Sequence, residues 1–126
     1  MNKSCTVDNS TALHSAAVKR HVNVVKILLE YNADVNDGVT ALYTAAQEGH
    51  VDVVKTLLEN IADVNASRHT GATALYVAAQ EGHIDVVKTL LVNKADVNAR
   101  LKGLFGEKPI DVARRNNYSE IVKILK

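Results

Sequence analysis

The sequence predicts an all-α solenoid, a row of stacked helix–turn–helix units, and three observations carry that prediction. The segment ALYTAAQEGHVDVVKTLLENIADVNA, from Ala41 to Ala66, returns as ALYVAAQEGHIDVVKTLLVNKADVNA from Ala74 to Ala99. The copies differ at four positions (Thr44/Val77, Val51/Ile84, Glu59/Val92 and Ile61/Lys94) and lie 33 residues apart, measured from Thr40 to Thr73. A fixed period of about 20–50 residues marks small units that lean on their neighbours rather than one globular core. Weaker copies flank this pair, TALHSAAVKRHVNVVKILLEYNADVN from Thr11 to Asn36 and KPIDVARRNNYSEIVKILK from Lys108 to Lys126. Within each copy the apolar residues recur at helical spacing.

The expected organisation is therefore one domain over residues 1–126, with units at about 6–36, 37–66, 67–99 and 100–126. The first and last units should act as caps, since each has one face without a neighbour. Spacing between unit starts is uneven: 29 residues from Thr11 to Thr40, 33 to Thr73, then 35 to Lys108. The helical stretches keep their length and the joints absorb the difference.

The third unit shows how each element is specified. Thr73 precedes Ala74–Glu81, and a threonine hydroxyl can accept a bond from an unpaired N–H in the first helical turn. Leu75, Ala78 and Ala79 stand at i, i+3 and i+4, an apolar stripe on one side of a short helix. Gly82 follows, at the place where a left-handed residue closes a helix. A second helix is expected from about Asp85, with Val86, Val87, Leu90 and Leu91 facing inward. Ala95-Asp96-Val97-Asn98 then leads out into an extended finger. Neither helix can bury its apolar stripe inside one unit, so stacking is required.

The anchors Gly71-Ala72-Thr73-Ala74-Leu75, Ala78-Ala79, Gly82-His83, Val86-Val87, Leu90-Leu91 and Ala95-Asp96-Val97-Asn98 resemble the ankyrin repeat, a family with the same 33-residue unit and a T-P-L-H-x-A signature. The resemblance runs from about Thr6 to Lys126. It implies an ankyrin-repeat solenoid of stacked helix–turn–helix units with β-hairpin or loop fingers projecting from one side.

Departures from the family pattern locate the irregularities. The proline usual after the capping threonine is Ala12, Ala41 and Ala74, and only Pro109 keeps it. The helix-closing glycine is Arg20 in the first unit and Asn117 in the last. The glycine usual before Ala-Asp is Asn32, Ile61 and Lys94. A β-branched residue suits positive φ poorly, so at Ile61 the chain should use a neighbour such as Asn60 or another turn. Only Asp37 separates Asn36 from Gly38, too few residues for a full hairpin. Conversely, the joint ARLKGLFG, ending at Gly106, is two residues longer than the stretch from Asn65 to Gly71, and carries Leu101, Leu104 and the sole phenylalanine, Phe105.

Composition narrows the function. Hydrophobic residues make up 47% of the chain but aromatics only 4%, so the interior must be aliphatic. A net charge of +1 provides no long-range field for nucleic acid or an anionic membrane. The single cysteine, Cys5, excludes an internal disulfide framework and fits a reducing compartment. No apolar run nears the ~20 residues of a membrane span, and MNKSCTVDNS lacks a signal-peptide core. A cytoplasmic address is expected. Asn-x-Ser/Thr patterns at Asn2, Asn9, Asn65 and Asn117 are idle there.

Candidate chemistry is sparse. His50 and His83 recur one per unit and should not converge; His14 and His21 align with repeat positions, and His69 falls in a finger. None has metal-ligand spacing, so capping and packing roles are expected, with no metal, no cofactor and no catalytic residues. Lys26, Lys55, Lys88 and Lys123 recur on the second helix as a solvated outer face. Tyr43 and Tyr76 stand where the family usually has histidine, and packing between units is their expected role. Gln47-Glu48 and Gln80-Glu81 form either an acidic rung for a basic partner or an ordinary solvated helix end. Leu101, Leu104 and Phe105 are either exposed finger tips that grip a partner or a loop folded back over the C-terminal cap.

The resulting expectation is a non-enzymatic protein–protein interaction module or scaffold, monomeric, that binds a partner protein through a concave face of inner helices and fingers. Its contact residues would be Val39, Gln47, Glu48, His69, Thr70, Ala72, Gln80, Glu81, Lys102, Leu104, Phe105 and Arg115. An effector or inhibitor acting on a host or regulatory protein, or an engineered repeat binder, is the alternative; Cys5, Ile61 and the irregular joints speak against engineering. An enzyme would need a nucleophile–base pair or a phosphate-cradling loop, which the sequence lacks, and a nucleic-acid binder would need more positive charge. The starting Met1 and the divergent last unit favour a complete chain over a segment of a longer array.

Overall fold

The computed structural model describes residues 13–30, 40–60, 63–68, 70–103 and 106–126. Helices account for most of them: α1 over 13–18, α2 Val22–Glu30, α3 Thr40–Glu48, α4 Val51–Glu59, α5 Ala74–Glu81, α6 Ile84–Val92, α7 Pro109–Arg115 and α8 Ser119–Leu125. Consecutive helices pair within a unit, as α3 with α4, α5 with α6 and α7 with α8. Between units α5 packs on both α3 and α7, while α2, α4, α6 and α8 form a second row. No helix is long and apolar enough to cross a membrane among the described residues.

These helices have 7–9 residues where their ends are defined, shorter than the ~12–15 that an isolated helix needs in water. Their stability must come from burial. Leu13, Leu57, Leu75, Leu90 and Ile121 are the largest side chains closed off in the interior, each contributing roughly 1.5–3 kcal/mol. Small residues make the close approach possible: Ala45, Ala46, Ala78 and Ala79 are all 0% exposed where α3 and α5 meet.

Adjacent valines on each second helix serve two different neighbours. Val53 and Val54 of α4 are both fully buried, as are Val86 and Val87 of α6. In α2 the second of the pair, Val25, is buried but Val24 is 42% exposed. In α8 the first, Ile121, is buried while Val122 is only half-buried. One member of each pair therefore meets the preceding unit and the other the following one.

Helix ends follow the local chemistry. Thr73 sits in extended backbone and its Oγ1 accepts from Tyr76 N at 3.2 Å. Gly82, at φ 80, closes α5, and His83 N–H returns to Ala78 O at 3.0 Å. The second helix of that unit begins at Ile84, one residue before the expected Asp85, and Leu91 is half-buried against the core. Lys94 takes φ 72 after α6, in the family's glycine position, and Ala95 N–H bonds Leu90 O. Arg20 and Asn117 likewise adopt φ 62 and 65 as glycine substitutes. Asn60 does not take over from Ile61, because its φ is −99. Its amide instead reaches back to Thr56 O. Ile61 itself and the short joint around Asp37 lie outside the described residues.

The fingers are mostly loop. Among the described residues the only β pairing is a single antiparallel bridge between Ser67 and Thr73, reinforced by Arg68 N–H on Ala72 O and a tight turn from Arg68 to Gly71. At the base of the fingers, the Asp63 and Asp96 carboxylates accept from the N–H groups of Asn65 and Asn98. Asn65 also ties its unit to the next, accepting from Asp96 N at 2.6 Å and donating to Lys94 O.

Candidate protein-interaction surface

Repeated polar residues divide into those that hold units together and those left for solvent. His50 Nε2 lies 3.0 Å from Val18 O, and His83 Nε2 lies 2.9 Å from Gln47 O, one unit upstream in each case. The two rings therefore stitch units together, sitting at the N-terminal ends of α4 and α6 without capping them through the side chain. In the last unit Tyr118 takes the same register, and Asn116 makes the link to Gln80 O. His14 Nδ1 faces Thr44 Oγ1 at 3.4 Å, while His21 is exposed. Among the described residues no three His, Cys, Asp or Glu side chains gather as a metal site would require.

Gln47, Glu48, Thr70, Glu81, Lys102 and Arg115 are exposed, and Gln80 is half-buried. Ala72, expected among the partner contacts, is instead 5% exposed, beside the Ser67–Thr73 bridge and with its carbonyl accepting from Arg68 N–H. It offers almost no side chain to a partner. Val39, His69, Leu104 and Phe105 lie outside the described residues. Lys26, Lys55, Lys88 and Lys123 are all exposed on the row of second helices.

The long joint before the last unit (98–106) packs against the finger that opens the third unit (65–73), the third finger. Lys102 N–H donates to Thr70 O at 2.8 Å, and Leu101 N–H to Glu107 O at 2.9 Å. A Cβ on Gly71 would stand 2.8 Å from Arg100 O and from Lys102 N, so the two fingers approach at a distance that only glycine permits. Leu101 is half-buried against the core.

The two register-equivalent tyrosines have different partners. Tyr76 is buried, and its O–H donates to Glu107 Oε1 at 2.9 Å. The other Glu107 oxygen accepts from the Arg115 guanidinium. Arg115 first, then the Tyr76 hydroxyl, hold the Glu107 carboxyl below its ordinary range. Burial, and next the Glu107 carboxylate, push the Tyr76 hydroxyl up. Arg115 was expected to face a partner; although exposed, its guanidinium already has a carboxylate within the chain. Tyr43, one unit earlier and half-buried, has instead the Arg68 guanidinium stacked 4.8 Å from its ring centroid.

Sequence reasoning missed Arg68, Glu107 and Asn65. Asn65 was legible in principle, since it repeats in register with Asn98. Arg68 and Glu107 sit in fingers whose lengths differ, so no periodic signal marked them.

The family model described as ankyrin repeats (3 copies) matches over residues 1–68, 36–101 and 62–126, which together span the chain. Comparison with curated proteins gives no match.

Proposed function

The chain belongs to the ankyrin-repeat family, and from that premise we propose that it is a non-enzymatic module or scaffold that binds a partner protein along the face formed by α3, α5, α7 and the fingers. Ankyrin repeats are generally protein–protein interaction modules. The supporting observation is the contrast between the register positions used for stacking and the exposed row of Gln47, Glu48, Glu81 and the finger residues Thr70 and Lys102. A surface already fixed by inter-unit bonds loses little freedom when a partner arrives, which keeps the cost of binding low. The module acts as a monomer in the cytoplasm, a proposal that rests on its lone cysteine and near-neutral charge.

The test is affinity capture with the wild-type chain and a Gln80/Glu81/Phe105 alanine triple variant, with melting measured in parallel. The variant should melt as the wild type does and lose the captured partner. If it keeps that partner while a Lys55/Lys88 alanine variant loses it, binding belongs to the opposite row of helices and the proposal fails.

A further inference from the structure

We propose that Arg68, held over Tyr43, is a receptor for an acidic side chain of the partner, and that the partner presents it in an extended acidic segment running on to Arg100 and Lys102. This rests on the interaction-face reading above and specifies the chemistry recognised there.

The molecule already contains this recognition once, closed by its own carboxylate. At Tyr76, the phenol O–H and the Arg115 guanidinium converge on Glu107. Thirty-three residues upstream, Tyr43 keeps the phenol and Arg68 brings the guanidinium. The position corresponding to Glu107 is Ala72, counted back from Lys108 and Thr73. The Arg115 register is held by Gln80, so here the guanidinium comes from the finger instead, and no carboxylate stands at the Glu107 position.

Arg68 is poised for such an anion. A guanidinium lying over an aromatic face is attracted there through its charge and keeps N–H donors available for a further partner. Those donors match a carboxylate with two parallel hydrogen bonds. Among the described residues Arg68 has no ion pair, and its side chain is exposed.

Neighbouring charge extends the site. Arg100 and Lys102 are exposed on the next finger, which is bonded to the third finger through Lys102 N–H and Thr70 O. Neither forms an ion pair among the described residues, although Arg100 Nη1 donates to Gly106 O at 3.1 Å. The carboxylates near the finger bases, Asp63 and Asp96, accept from backbone N–H groups of their own turns. Glu48 and Glu81 lie at the C-terminal ends of α3 and α5, the opposite end of those helices from the fingers. An acidic segment is therefore attracted to the fingers, and the Glu48 and Glu81 ends of the face are left to other parts of the partner.

The experiment selects from random 12-residue peptides displayed on phage, using the full chain as bait. Selected peptides should be rich in Asp and Glu. A synthetic peptide of the selected sequence should weaken roughly tenfold toward Arg68→Gln, weaken similarly toward Arg68→Lys, which keeps the charge but not the fork, and lose affinity as salt rises. Its Asn/Gln counterpart should bind no better to the wild type than the acidic peptide binds to Arg68→Gln. Unchanged melting of each variant shows that the fold is intact, and a Lys55→Gln/Lys88→Gln control should bind as the wild type does.

Selection without acidic enrichment, acidic binding indifferent to Arg68→Gln, or failure to select any peptide overturns the proposal while leaving capture of a folded partner as the separate test of the interaction face. A single-stranded RNA that binds as tightly as the peptide, with the same loss at Arg68→Gln, overturns it in favour of phosphate recognition. Loss confined to the Lys55/Lys88 control overturns both readings together.

Discussion

The first unit and the second carry almost the same second helix, VNVVKILLE in α2 and VDVVKTLLE in α4, yet bury different parts of it. Val25 and Val54 are equally buried, but Val24 is 42% exposed where Val53 is 0%, and Ile27 is 51% exposed where Thr56 is 5%. Burial here belongs to having a neighbour on each side, not to the residue. In the middle of the stack even a threonine is enclosed; its hydroxyl is satisfied by Asp52 O at 2.9 Å. The largest expected effects follow from that asymmetry. Leu57→Ala should cost roughly 2–5 kcal/mol in denaturant unfolding, a large part of a total of perhaps 5–15 kcal/mol. Val53→Ala should cost about 1.5–3 kcal/mol, and Val24→Ala less than about 0.5 kcal/mol. Equal losses at Val24 and Val53 would mean that the first unit is covered as the second is, and the comparison would fail.

A second contrast between middle and ends concerns the residue closing each first helix. Gly49 and Gly82 have φ 76 and 80, and a Cβ there would stand 2.7 Å from the His83 ring and 2.8 Å from the Tyr118 ring. At the ends of the array the same register holds Arg20 and Asn117, both at positive φ. Arg20 directs its side chain to Asp52, with Nε 3.0 Å from the carboxylate, so the side chain clears the stacking face. Gly82→Ala combines left-handed strain of about 1–2 kcal/mol with pressure on Tyr118, and should lower the melting midpoint visibly. Asn117→Gly should leave it within experimental scatter. A Gly82→Ala variant that melts like the wild type would show that the ring moves aside freely, and that the glycine serves the turn alone.

Much of this architecture was readable because it is periodic. Two copies differing at four positions fixed the units, the capping role of Thr73, the closing role of Gly82 and the inward valines, all of which depend on short-range spacing. Ile61 and Lys94 show where periodicity stops helping. The same slot holds two unlike residues, and Lys94 accepts positive φ while Asn60 does not supply it for the other copy. The interaction surface was less legible for the same reason. Gln47, Glu48, Gln80 and Glu81 repeat and could be placed on a face. Arg68 and Glu107 do not repeat, and each acquires its partner only when fingers of unequal length fold against the neighbouring unit. Ala72 was misplaced because a finger residue next to a tight turn can point inward as readily as outward.

The two tyrosine rungs permit a smaller and sharper test. Tyr76→Phe removes the phenol donor from the half-buried Glu107 carboxylate, whose Arg115 partner is exposed, and losing one such hydrogen bond costs about 1 kcal/mol. Tyr43→Phe keeps the ring that Arg68 stacks on and removes a hydroxyl with no described partner, so stability should not change. Urea midpoints measured on both variants decide the matter. If they fall together, the tyrosines act as equivalent packing residues, and the open rung at Tyr43 has no distinct character.

The smallest expected effect lies in the pH dependence. The Glu107 carboxyl is held below its ordinary 4.5, chiefly by Arg115 and then by the Tyr76 hydroxyl. At Asp52, burial acts the other way, but the hydrogen bond from Arg20, the Val53 N–H and the Arg20 charge together keep that carboxyl below 3.8. A carboxyl whose folded value lies below its unfolded value contributes stability above the unfolded value, and the contribution is lost as pH falls through the folded one. The acid limb should therefore steepen below about pH 4.5 and be shallower in Glu107→Gln, where only the Asp52 contribution of the two remains. Tyr76 carries the opposite sign. Its hydroxyl is raised above 10.0 by burial and then by Glu107, so its contribution is full below that value and fades as pH rises further. The Arg20–Asp52 pair is exposed at both ends and the Glu107–Arg115 pair at its arginine, where water and salt weaken charge interactions, so the slopes should be shallow and shrink as salt is added. An acid limb identical in wild type and Glu107→Gln would place the titrating group elsewhere and reduce the Tyr76 rung to a packing contact.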